Sequence, residues 1–185
     1  DYRSYPKLKT AVNDATETAS VLQEKFGFKT TVLKNATRYE ILAALNELRE
    51  QLTDQDNLLI YYAGHGELDD KTDKGFWLPV DAEQGNSRNW ISNAAISDIL
   101  NTLKAKHVMV VADSCYAGTL SVAAMPRVDE SMPDDLQKEW ILAMSQARAR
   151  TVLTSGGVAP VLDGGGDGHS VFSRAFLDTL RKSDG

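Results

Sequence analysis

What the chain lacks narrows its identity first. Among 185 residues there is one cysteine, Cys115. A single thiol cannot form an internal disulfide, so the chain does not read as a small secreted domain held by bridges. No apolar run approaches the ~20 residues that a membrane-spanning helix needs. No signal peptide is visible, so no membrane is an expected partner and the cytoplasm is the expected compartment. The chain opens at Asp1 without a methionine, so flanking segments are expected to lie outside this numbering. No His/Cys cluster has zinc-ligand spacing, and no metal or other cofactor is expected. Lysine and arginine number 20 against 26 acidic residues, giving a net charge of −6. That balance removes the electrostatic footprint of a general nucleic-acid binder and suits basic peptide substrates.

What is present is ordinary globular material. Hydrophobic residues make up 42% and charged residues 25%, enough for one domain with a real core. Leu8, Ala11, Val12, Ala15, Ala19, Leu22 and Phe26 recur at helical spacing up to Gly27, a helix stop. Thr30 to Leu33 reads as a short strand. Thr37-Arg38-Tyr39-Glu40 is a capping box opening a helix with Ile41, Leu45, Leu48 and Leu52 on one face. Leu58 to Ala63 is a continuous apolar run, the pattern of a strand covered on both faces. A polar stretch from Glu67 to Lys74 and a short strand over Phe76 to Leu78 follow it. Ile96, Ile99, Leu100 and Leu103 mark a helix, Val108 to Ala112 a second buried strand, and Thr151 to Thr154 another strand. Leu136, Trp140, Ile141 and Met144 suggest a helix, and Phe172, Phe176 and Leu180 carry the last one.

Alternating strands and helices predict an α/β fold with a mostly parallel sheet and helices on both faces, the strands at 58–63 and 108–112 adjacent and central in it. Sites in such sheets form beyond the carboxyl ends of the strands. His65 and Cys115 each follow a buried strand there. A thiol is mostly protonated at neutral pH and becomes a nucleophile with help from a neighbouring base, for which histidine is suited. Gly64 and Gly66 flank His65 and let backbone approach a substrate closely. The amides of Gly66 and Cys115 are then candidates for holding a developing oxyanion. Taken singly, a lone cysteine is more often inert core and a lone histidine structural; their matched positions after two strands reverse that weighting. His107 reads as structural. His169 lies beside Ser170 at the start of the last helix, where capping is the expected role, with His169 a reserve base. Ser114 and Ser155 lack the G-x-S-x-G turn, and the glycines at 164–168 lack a phosphate-loop pattern.

Tyr61-Tyr62-Ala63-Gly64-His65-Gly66 and Asp113-Ser114-Cys115-Tyr116-Ala117-Gly118 resemble the two catalytic blocks of the caspase-like peptidases. Their histidine and cysteine stand 115 − 65 = 50 residues apart, as in caspases. Ala11-Val12-Asn13-Asp14-Ala15 and Leu78-Pro79-Val80-Asp81 are similar to the metacaspase and bacterial caspase-like branch, peptidase C14. The resemblance implies a caspase-like three-layer sandwich and a cysteine endopeptidase with Cys115 as nucleophile and His65 as acid–base partner. In that branch, carboxylates matching Asp113 and Asp14 line the primary pocket, implying cleavage of proteins or peptides after Arg, or Lys. Asp113-Ser114 stands where caspases proper have Gln-Ala. The first strand of the family is absent, with Asp1-Tyr2 at its trailing edge. Ile91 to Ala95 lacks the acidic pair of the calcium-dependent members. The implied organisation is one domain: a large catalytic part (1–118), a linker (119–133) and a small C-terminal part (134–185). Arg127, the only basic residue from Thr119 to Met132, is the implied self-cleavage site. Additional domains or a regulatory partner are expected. Two other readings remain: an inactive caspase-like interaction module, and another thiol-dependent hydrolase on the same fold.

Overall fold

The structure is a computed structural model, and it describes residues 2–69, 71–115, 148–156 and 167–183. Helix α1 spans Ala11–Phe26 and ends at Gly27. There φ is +71°, a left-handed turn that glycine adopts without a Cβ penalty. Helix α2 spans Arg38–Gln51 behind the expected capping box, Thr37 accepting from the Glu40 amide and Glu40 from the Thr37 amide. Strand β1 covers Asn57–Ala63. Past Gly64 the chain turns into β2 (His65–Asp69), β3 (Lys74–Leu78) and, after a short 3-10 turn, β4 (Ile91–Ser92). Helix α3 is Asn93–Thr102, β5 is His107–Asp113, β6 is Ala149–Thr154, and α4 is Val171–Lys182.

The described strands make two sheets. In one, β1, β5 and β6 run parallel in the order β1-β5-β6, with Ala63 level with Asp113 and Ala112 level with Thr154. The other is the antiparallel set β2-β3-β4. The strand alternation sends Leu58, Ile60 and Tyr62 into the core built with α2 and α3, where Leu45, Ile96, Leu100, Leu103, Val108 and Val110 are buried. Tyr61 faces the other way, toward α4. It donates to the Ser173 hydroxyl at 3.0 Å and stacks on Phe176. Helix α1 packs beside α4 on that same side, so the sheet is a middle layer between two helical ones. Arg150 of β6 ties the far end together, donating to the carbonyls of Leu100, Leu103 and Lys106 at the close of α3.

Three sequence expectations change. Thr30 to Leu33 is not a strand: no described strand pairs with it and Leu33 is 47% exposed. Strand propensity without a neighbouring ladder leaves extended coil. The run 58–63 is adjacent to 108–112 as expected, but it forms an edge among the described strands, and its residues are half-buried. An apolar run reports that both faces are covered, and says nothing of which strands flank it. The polar stretch after Gly66 is half of a hairpin, paired with β3 from His65 to Asp69; its polar, half-buried residues hid its strand character. Tyr62 stacks on Trp77 at 4.2 Å with planes 5° apart, locking this hairpin onto β1. The linker 119–133 with Arg127, the helix expected around 136–144 and the boundary between the two parts of the domain lie outside the described residues. Among the described residues no helix is long and apolar enough to cross a membrane.

Candidate active site

The parallel register brings the two sequence blocks side by side. Ala63 and Asp113 are partners at the carboxyl ends of β1 and β5, and the Gly64 amide donates to the Asp113 carbonyl at 3.3 Å. Two residues beyond that pair lie His65 and Cys115. The backbones touch: a Cβ at Gly66 would overlap the carbonyl oxygen of Cys115 and come within 2.5 Å of the Ser114 hydroxyl. A Cβ at Gly64 would meet the hydroxyls of Tyr62 at 2.6 Å and Tyr2 at 2.8 Å. Both glycines are therefore required by close approach. Cys115 is partly exposed and is not in a disulfide.

His65 is held by groups that the sequence did not single out. Its amide donates to the Tyr2 hydroxyl at 2.9 Å, and its carbonyl accepts from the Tyr62 hydroxyl at 2.8 Å. The ring packs edge-on to Tyr2, with centroids 4.6 Å apart, and lies 5.7 Å from Tyr5. Its Nε2 is 2.8 Å from the carbonyl oxygen of Pro6. A carbonyl only accepts, so Nε2 carries the hydrogen and the neutral ring keeps its lone pair on Nδ1. Burial raises the pKa of both Tyr2 and Tyr62, the latter well above its ordinary value. Tyr5 is pushed up to about 12, by burial first and then by the Glu67 carboxylate it binds. All three stay neutral hydrogen-bonding phenols around the histidine at physiological pH. No sequence signal marked Pro6, because it acts through a backbone carbonyl that any residue could supply.

Beside Cys115 is a small cavity lined by Leu8, Thr10, Ala11, Asp14, Ala63, Gly64, Asp113, Ser114, Cys115 and Ser170. Both predicted pocket carboxylates are in it. Asp14, in the first turn of α1, is fully buried, and Asp113, last in β5, is 8% exposed. Neither is a solvated surface carboxylate. Ser170 joins them: its hydroxyl donates to Asp113 Oδ2 at 2.5 Å and its amide to Asp14 Oδ2 at 3.3 Å. The same hydroxyl caps α4 by accepting from the Ser173 amide. His169 directs Nδ1 to Asp14 Oδ1 at 2.6 Å and Nε2 to Glu17 Oε2 at 2.9 Å, and Glu17 also pairs with Arg181. With both ring nitrogens on carboxylates, His169 is not arranged as a base for Cys115. His107 is structural as expected, its Nδ1 on Asn57 Oδ1 at 2.7 Å. Among the described residues no group of His, Cys, Asp and Glu is arranged to hold a metal ion.

A parallel sheet between helical layers carries a histidine and a cysteine just past adjacent strand ends. The chain belongs to the caspase-domain family of peptidases: the family's model, peptidase C14, matches residues 1–185. Human mucosa-associated lymphoid tissue lymphoma translocation protein 1 is 37% identical over 82 residues, 44% of this chain and 10% of that protein. Its mouse homologue is 36% identical over 81 residues, 44% of this chain and 9% of that protein. The chain thus spans only about a tenth of the curated relatives it matches. A crystal structure of a Geobacter sulfurreducens protein shares the fold, with a TM-score of 0.65 at 20% identity, over 95% of this chain and 74% of that one.

Proposed function

We propose that this domain is a cysteine endopeptidase that cuts proteins after arginine, or lysine, through Cys115 and His65. The observation that carries the reading is the cavity beside the thiol, which holds two buried carboxylates and, among the described residues, no lysine or arginine in its lining. Asp14 already has the His169 ring as a partner, and a substrate guanidinium or ammonium entering the cavity adds a cation facing both carboxylates. In the reaction, His65 Nδ1 takes the thiol proton as Cys115 sulfur bonds to the peptide carbonyl carbon. The Gly66 and Cys115 amides face the oxyanion. The tetrahedral species collapses, the C–N bond breaks, and His65 returns the proton to the leaving amine. Water then attacks the thioester, giving its proton to His65 and releasing a carboxylic acid and the free thiol. The Pro6 carbonyl supports this cycle by orienting the ring. Arg127 is then a site where the domain can cut its own chain or a neighbour's, and further domains or a regulatory partner belong to this reading.

The test is a set of peptides differing only in Arg, Lys, Asp or Ala before the cleaved bond, with and without a thiol alkylator. Cleavage confined to Arg and Lys peptides, lost on alkylation and in Cys115→Ala, is expected. Preference for Asp refutes the specificity. Turnover by Cys115→Ala refutes the nucleophile, and a folded wild type inert on every peptide leaves an interaction module. New termini after Arg127 in the wild type but not in Cys115→Ala would establish self-processing.

A further inference from the structure

The two residues ahead of α4, His169 and Ser170, are engaged in more than helix capping. They reach Asp14, 155 and 156 residues earlier in the chain, and Asp113, 57 residues before Ser170. Both are nearly inaccessible: His169 is 8% and Ser170 4% exposed. Asp14 has one oxygen on the His169 ring and the other on the Ser170 amide. Asp113 has Oδ2 on the Ser170 hydroxyl, whose own direction is fixed because it accepts from the Ser173 amide at 2.9 Å. His169 is itself held from behind by Glu17, which pairs with Arg181 of α4. Asn13 fastens the segment again by donating to the Gly168 carbonyl at 3.0 Å.

We propose that His169 and Ser170 are positioning residues that set Asp14 and Asp113 as a rigid two-carboxylate fork, and that this fork makes the pocket select arginine over lysine. The inference rests on the proposed cleavage after basic residues and sharpens it. A guanidinium is planar, with five donors in fixed directions, and gains most from acceptors already placed to match it. An ammonium is a point charge on a flexible stem and is served by either carboxylate in many orientations. Holding both carboxylates in advance removes the ordering cost at the moment of binding, and that gain falls mainly to the ligand with strict geometry. Their hydrogen bonds run to the two carboxylates, so the proposal leaves the chemistry with His65 and Cys115.

Kinetics on two peptides identical except for Arg or Lys before the cleaved bond test this. The wild type is expected to prefer Arg. In His169→Ala the Arg-over-Lys ratio of kcat/KM is expected to fall by about tenfold, the size of one charge-assisted hydrogen bond. The loss should lie in KM for the Arg peptide with kcat nearly unchanged. His169→Gln, which keeps one amide donor, should recover part of the ratio. Ser170→Thr, which keeps hydroxyl and cap, should stay close to wild type, while Ser170→Ala follows His169→Ala. Should His169→Ala not fold, His169→Gln carries the test, because its ratio is expected between wild type and the Ser170→Ala value. A folded set of variants with an unchanged ratio, or with both peptides slowed equally in kcat, overturns the fork. A wild type that cuts neither peptide overturns the reading beneath it, and is distinguished because the failure precedes any substitution.

Discussion

The two flanks of Cys115 are built from opposite materials. On one side His65 is enclosed by phenol rings and backbone carbonyls, all neutral. On the other, Asp14 and Asp113 are enclosed by hydroxyl, amide and imidazole donors that end on charged oxygens. On the proposed reading His65 must gain and lose a proton, and its neighbours orient the ring. The two carboxylates must meet a cation in a dry place, and their neighbours are hydrogen-bond donors that hold them in position. One flank is thus built for proton exchange and the other for fixed geometry.

The largest expected effect lies on the histidine flank. His65→Ala should lower kcat by about 10²–10⁴-fold with KM and thermal midpoint little changed, as loss of a general acid–base demands. An undiminished kcat would remove His65 from the mechanism. On the acidic flank, Asp113→Asn should lower kcat/KM on Arg peptides by about 10²-fold, consistent with a buried charge pair losing one partner. Its thermal stability should fall much less, because an amide still accepts from Ser170. Equal losses on neutral peptides would make Asp113 structural. A smaller effect is expected from Tyr2→Phe, which strips the acceptor from the His65 amide and should cost about 1–3 kcal/mol of stability. Its activity should decline only as far as the His65 ring loses its place.

The smallest effect lies away from both flanks. Thr37→Ala removes the α2 cap and should cost about 1 kcal/mol with activity unchanged, read by thermal unfolding. The Glu40 carboxyl is held below its ordinary value by the Thr37 amide first and its hydroxyl second. A depressed carboxyl stabilises above its unfolded pKa, so this cap contributes at neutral pH and is lost as pH falls through the lowered value. The stability gap between wild type and Thr37→Ala should therefore narrow in acid.

Local chemistry was legible where a residue's role is set by its chain neighbours. The capping box at Thr37, the stop at Gly27 and the helices behind them follow from side chains within four positions, so the sequence alone determined them. So, too, the pairing of the His65 and Cys115 blocks followed from two apolar runs each ending in a short turn. What it could not carry was any fact depending on a neighbour in space. The strand expected at 30–33 failed for want of a ladder partner, and β1 lies at an edge of the described sheet though its composition matches a central strand. Pro6 orients His65 through a carbonyl, a group common to every residue and therefore silent in sequence. His169 and Ser170 acquired their partners only when α1, β5 and the start of α4 converged. Helix periodicity and turn chemistry are written over a few residues, whereas contacts across 57 or 155 residues exist only once the chain has closed on itself.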